Sequence, residues 1–143
     1  MMYPDFVDSY ISWLKTKITT KEIDDYLEIT TPFLDRHNDH LQIYVKKAGD
    51  KYLLTDDGYI LNDLAMSGVD LKPDRRQKML HIMLNKYGIA LDGSELTVFT
   101  SLTDFPKRKH SLIQAMLNID DMFLVSQHNV KGFFVEDIEE FFK

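Results

Sequence analysis

Two short stretches hold most of the side chains that could do chemistry. LDRHNDH places Asp35, His37, Asp39 and His40 within six residues, and LTDDG sets Asp56 beside Asp57 ahead of a glycine. Imidazole and carboxylate together suit zinc or manganese, and carboxylates alone suit magnesium. A metal held by Asp35, His37, Asp39 and His40 is one expectation. A metal-dependent hydrolase is its extension: Asp39, Asp56 and Asp57 would meet at a phosphodiester or nucleotide, with His37 or His40 as ligand or base. The spacing matches no standard zinc pattern such as HExxH.

The same residues have a plainer use. Asp and Asn in DRHND stabilise turns, and an acid just before a glycine and a helix accepts amide hydrogen bonds at the positive end of the helix dipole. The second use is favoured for Asp56 or Asp57. Magnesium nucleases often pair an Asp on one strand with an acid, one residue and a Lys on the next. Here no acid stands two residues before Lys46 or Lys47. No phosphate-binding loop, dinucleotide fingerprint or GxSxG elbow is present, and the chain has no cysteine nucleophile or thiolate ligand. His81 falls off the apolar stripe of its segment, as a surface histidine does, and His110 and His128 lack an acidic or nucleophilic neighbour pattern. The basic clusters PKRKH and DRR read as solvated helix faces.

Charge narrows the partners. The 143 residues carry 17 basic and 23 acidic side chains, a formal net charge of −6. That balance disfavours direct nucleic-acid binding and attraction to anionic membranes, and favours a protein partner with a basic surface. The opening MMYPDFVDSY has acids where a secretory leader has a basic segment, so residence in the cytoplasm is expected, that of a host cell if a phage encodes the chain.

The elements that must position these residues follow from periodicity. Phe6, Val7, Tyr10, Ile11, Leu14 and Ile18 recur at helical spacing, and Thr19 with Glu22 has the form of a capping box that would start a second short turn. Tyr26 to Thr31 suits a strand that Pro32 stops. His40 to Lys47 alternates, with Leu41, Ile43 and Val45 on one face, and a turn at Ala48 to Asp50 returns the chain into Lys51 to Thr55. Helices follow around Ile60 to Leu64 and from Pro73 to Tyr87, with Gly68 and Gly88 as stops. IALDGSELTVFT is a hairpin, and Leu112 to Phe123 a long core-facing helix running to about Gln127.

The expected fold is therefore α+β: five strands in a mainly antiparallel sheet, with helices on one face. The order resembles that of small chaperones of bacterial secretion systems. Residues 1–129 form the domain, and 130–143 an acidic amphipathic helix. Its apolar Phe134, Ile138 and Phe141 lie opposite Glu136, Asp137, Glu139 and Glu140, a pattern that suits partner binding.

TPFLDRHNDHLQIYV and YLLTDDGYILNDLAMSG resemble the bacterial and phage family known as domain of unknown function 1828, over roughly Thr30 to Thr100. The resemblance implies no particular reaction. It implies the setting of prophages and mobile elements, where small acidic proteins act by stoichiometric binding, for example as anti-CRISPR-like inhibitors of a host defence nuclease. No cofactor is expected on that reading. The hydrolase remains the alternative, with zinc, manganese or magnesium.

Overall fold

Alternation in HLQIYVKKA explains how the sheet acquires two unlike faces. In the computed structural model, which describes residues 2–124 and 126, this segment is the strand β3 (His40–Ala48). Leu41 and Ile43 are fully buried on one face, and His40, Gln42 and Tyr44 occupy the other. Its antiparallel neighbours are β2 (Tyr26–Leu34) and β4 (Lys51–Thr55), the latter joined through a turn in which Gly49 adopts φ 68°.

With β1 (Thr19–Ile23), β5 (Ala90–Asp92) and β6 (Glu95–Thr100) the sheet has six strands, in the order β1-β2-β3-β4-β6-β5, all antiparallel. The extra strand is β1 (Thr19–Ile23), where the capping-box spacing had suggested a helical turn. Thr19, Thr20 and Ile23 are β-branched, and the free edge of β2 offers them a ladder. Ile23 pairs with Tyr26 across a two-residue turn in which Asp24 takes a positive φ of 54°. A local signal lost to a tertiary one.

Pro32 does not stop β2 either. The register slips between Thr30 and Leu34, leaving extra residues on β2 at the one place where a residue without an N–H is tolerated. Thr31 stabilises the bulge, donating its hydroxyl to the Leu41 carbonyl at 2.9 Å.

The buried face of the sheet is covered by α2 (Tyr59–Met66), α3 (Asp74–Tyr87) and α4 (Phe105–Asp120). Leu54, Leu96 and Val98 of the sheet meet Ile60 and Leu64 of α2, Leu80 and Leu84 of α3, and Leu112, Met116 and Ile119 of α4. Gly68 and Gly88 end α2 and α3 in left-handed conformations, φ 88° and 67°, as expected. The hairpin of β5 (Ala90–Asp92) and β6 (Glu95–Thr100) completes the sheet. α4 ends at Asp120; after a turn at Asp121 the chain is helical again at Met122 to Leu124 and at Ser126, and the expected end near Gln127 lies outside the described residues.

The first helix, α1 (Phe6–Lys17), differs from these three. Asp5 caps it, accepting the Asp8 amide at 2.9 Å, and its main contact is with β2, yet none of its residues is buried. The expected acidic helix over residues 130–143 lies outside the described residues, and with it the whole Phe134 to Phe141 stripe. Among the described residues no helix is long and apolar enough to cross a membrane.

Candidate functional site

The DRHND connection folds into a tight loop around one carboxylate. Asp35 Oδ1 accepts the amides of His37 at 2.8 Å and Asp39 at 2.9 Å, and the Asp35 amide donates to the Asp39 carbonyl at 2.9 Å. Asn38 takes a left-handed φ of 65°, which asparagine tolerates. Asp35 Oδ2 accepts the hydroxyl of Tyr59, from the first turn of α2. Burial pushes the Asp35 carboxyl up, but the Tyr59 hydroxyl and the two amides outweigh it and hold the group below the usual range. Burial and the same carboxylate raise the Tyr59 phenol well above an ordinary tyrosine.

Arg36 rivets this loop to two helices. Its amide donates to Asp120 Oδ2 at 3.0 Å, and its guanidinium donates to Asp63 Oδ2 at 2.7 Å and to Ser67 Oγ at 2.5 Å. The guanidinium also lies 4.2 Å from the centre of the Phe123 ring. His37 turns the same way, its Nε2 3.0 Å from Asp63 Oδ2. Burial raises the Asp120 carboxyl despite the opposing pull of Arg36. Sequence reasoning missed this cluster because its partners stand 27 and 84 residues away, beyond any spacing signal.

The TDDG segment is built around Asp56. Its Oδ1 accepts the amides of Gly58 at 2.8 Å and Leu96 at 3.0 Å, and Oδ2 accepts that of Ile60 at 3.0 Å. One fully buried carboxylate thus starts α2 and ties it to β6. Burial raises its pKa, and those three amides oppose the rise. Gly58 is required: at φ 80°, an added Cβ would stand 2.9 Å from Asn62 Nδ2 and 3.1 Å from Ser94 Oγ. Asp57 is exposed, with a positive φ of 59°.

Between these two anchored loops lies a cleft of about 470 Å³ lined by Thr30, Asp39, His40, Gln42, Tyr44, Asp56 and Tyr59. His40 Nδ1 is 2.8 Å from the Thr31 carbonyl. A carbonyl only accepts, so Nδ1 carries a proton and donates it there. Gln42 Nε2 donates to Thr30 Oγ1 at 3.0 Å, and the Tyr44 hydroxyl donates to Gln42 Oε1 at 3.2 Å. Burial and the nearby Glu28 carboxylate push the Tyr44 phenol up to about 12, so it stays a neutral donor.

Gln42 and Tyr44 thus spend one donor each on neighbours within the wall. The lining holds Asp39, whose carboxylate makes no side-chain hydrogen bond among the described residues, the His40 imidazole and the Tyr44 and Tyr59 rings, with no Lys or Arg. Such a lining complements a cation rich in N–H donors.

Of the residues singled out by composition and spacing, Asp39, His40 and Asp56 meet in the cleft, Asp35 stands behind Tyr59, and His37 points to Asp63. The set Asp35, His37, Asp39 and His40 is not gathered at one point. Among the described residues no group of three or more His, Asp or Glu side chains is arranged to hold a metal ion. Gln42, Tyr44, Thr30 and Tyr59 went unremarked as site residues, although the alternation of HLQIYV already puts His40, Gln42 and Tyr44 on the face away from the core.

The model of the family described as domain of unknown function DUF1828 matches residues 31–119, and the chain belongs to that family. The match begins in β2 and, beyond the expected limit at Thr100, takes in nearly all of α4. No curated protein and no solved structure matches the chain, so the likeness to secretion chaperones gains no support.

Proposed function

From membership in a family to which no reaction is attached, we propose that this protein acts by stoichiometric binding and receives a positively charged group of a protein partner, an arginine side chain first, in the cleft at Asp39 and His40. The observation that carries this reading is the chemistry of the lining: the Asp39 carboxylate beside an imidazole and two aromatic rings, with no Lys or Arg. A guanidinium is planar, weakly hydrated and able to stack on an aromatic ring while donating to carboxylate and imidazole. The formal charge of −6 acts in the same direction at longer range, steering a basic surface toward the protein. The finer reading, an anti-CRISPR-like inhibitor of phage or mobile-element type that covers the basic channel of a defence nuclease, is supported by that charge together with the cleft.

The rival, a metal-dependent hydrolase, would draw its ligands from Asp35, Asp39, Asp56 and Asp57, with His37 or His40 as ligand or base. Both oxygens of the Asp56 carboxylate already accept backbone amides.

The test is titration of the full chain with N-acetyl-arginine amide and with an arginine-containing peptide, followed by amide and side-chain NMR shifts. Shifts confined to residues around Asp39, His40 and Tyr44 are expected. Asp39→Asn removes the exposed charge and weakens binding about tenfold, the equivalent of one charge-assisted hydrogen bond. Shifts elsewhere, or equal binding by Asp39→Asn, would defeat the proposal.

A further inference from the structure

Tyr59 belongs to both walls of the cleft. It is a lining residue, and its hydroxyl donates to Asp35 Oδ2 at the root of the DRHND loop. As the first residue of α2 it is itself held from the opposite side. Asp56 accepts the amides of Gly58 and Ile60, its two chain neighbours, through the carboxylate, and the Tyr59 amide donates to the Asp56 carbonyl at 3.2 Å.

Asp35 divides its oxygens between the two walls. Oδ2 takes the phenol, while Oδ1 takes the amides of His37 and Asp39, and the Asp35 amide donates to the Asp39 carbonyl. The backbone of Asp39 is therefore held through residue 35, and its carboxylate stays outside these bonds. A continuous run of hydrogen bonds crosses the cleft, from buried Asp56 through the start of α2 to Tyr59, Asp35 and the Asp39 amide.

Arg36 does not replace this run. Its bonds to Asp120, Asp63 and Ser67 fix the base of the loop at residue 36, whereas the amides of the turn that carries Asp39 end on Asp35. A carboxylate on a backbone that is already fixed binds a cation at lower conformational cost than one on a loop that must first be ordered.

We propose that Tyr59 is the positioning residue of the cleft: through Asp35 it fixes the backbone of Asp39 relative to its own ring, so that one cation meets both ring and carboxylate. This inference rests on the reading of the cleft as an arginine site. By reciprocity, a cation touching the Tyr59 ring and Asp39 stabilises the bonds that join them.

The experiment combines amide hydrogen exchange with titration of the full chain by N-acetyl-arginine amide. Tyr59→Phe keeps the ring and removes the hydroxyl. In that variant the His37 and Asp39 amides exchange about tenfold faster, and the arginine derivative binds about fivefold more weakly because the competent loop is less populated. In the unsubstituted chain, saturating arginine derivative slows exchange at the same two amides. Ile113→Val, a change in the core under α4, also lowers the melting temperature but leaves arginine affinity as it was, which separates positioning from a general loss of stability.

Unchanged exchange at His37 and Asp39 in Tyr59→Phe overturns the proposal. So does an equal loss of affinity in Ile113→Val. Arginine binding that is intact in Tyr59→Phe defeats this inference alone, whereas an unsubstituted chain that binds no arginine derivative defeats the reading of the cleft and this inference with it.

Discussion

FVDSYISWLKTK and FPKRKHSLIQAMLNID are amphipathic helices of similar pattern with opposite fates. α4 buries Leu112, Ile113, Ala115, Met116 and Ile119 against α2, α3 and β6, whereas α1 buries nothing and leaves Phe6, Tyr10 and Trp13 at least half exposed. Apolar spacing specifies which side of a helix avoids water, but the cover comes from elsewhere in the chain. α4 crosses the buried face of a sheet whose Leu41, Ile43 and Leu54 need covering. α1 has its main contact with β2, near the edge of that sheet. One helix completes the core, and the other keeps its apolar side chains exposed among the described residues.

The sharpest way to break the comparison is to truncate matched positions. Met116→Ala in α4 should lower the unfolding free energy by about 3–4 kcal/mol, the loss of a fully buried side chain plus the cavity it leaves. Tyr10→Ala in α1 should change it by no more than about 0.5 kcal/mol. Urea denaturation checks both, and similar losses would mean that α1 is packed.

The helix starts offer a second contrast. Asp56→Ala orphans three buried amides and should cost about 3 kcal/mol, whereas Asp5→Ala at the exposed start of α1 should cost about 1 kcal/mol or less. A melt that moves equally for the two would show that Asp56 is an ordinary surface cap.

Arg36 extends the contrast to the far end of α4. Arg36→Leu leaves the Asp63 and Asp120 carboxylates without their cation, and the expected loss is about 2–3 kcal/mol. Asp63→Asn alone, on the half-open side of the cluster, should cost less, by the same denaturation series.

The smallest effect is in pH. The Asp120 and Asp56 carboxyls are raised above the ordinary 3.8, so just above that pH the folded chain binds more protons than the unfolded one, and stability falls as pH rises through the window. Asp35 is lowered, and its contribution, present above 3.8, is lost as pH drops through its folded value. The expected profile is a shallow maximum near pH 4 in chemical denaturation. Asp120→Asn should flatten the fall on the neutral side of that maximum. An unchanged slope would mean that Asp120 keeps an ordinary carboxyl in the fold.

Much of the architecture follows from short-range pattern alone. Leu41, Ile43 and Val45 alternate, Leu80 and Leu84 recur at helical spacing, and Gly68 and Gly88 stand where only a left-handed residue ends a helix cleanly. Each of those features is satisfied within a few residues, by φ preference or by the period of one element. The capping role of Asp56 was legible for the same reason, since two of its three amides lie within four residues.

Other features belong to tertiary structure. Thr19 to Ile23 reads as a helix start until β2 supplies a ladder, and Pro32 reads as a stop until a bulge excuses its missing N–H. Asp39 and His40 become a cleft with Tyr59 only when the DRHND loop is pinned by Arg36 to Asp63 and Asp120, contacts that leave no trace in local spacing. The sequence determined the elements, their apolar faces and the residue types gathered near His40. Tertiary structure decided which faces found a cover, because burial depends on what distant segments bring, and among the described residues that closed the core over α4 and not over α1.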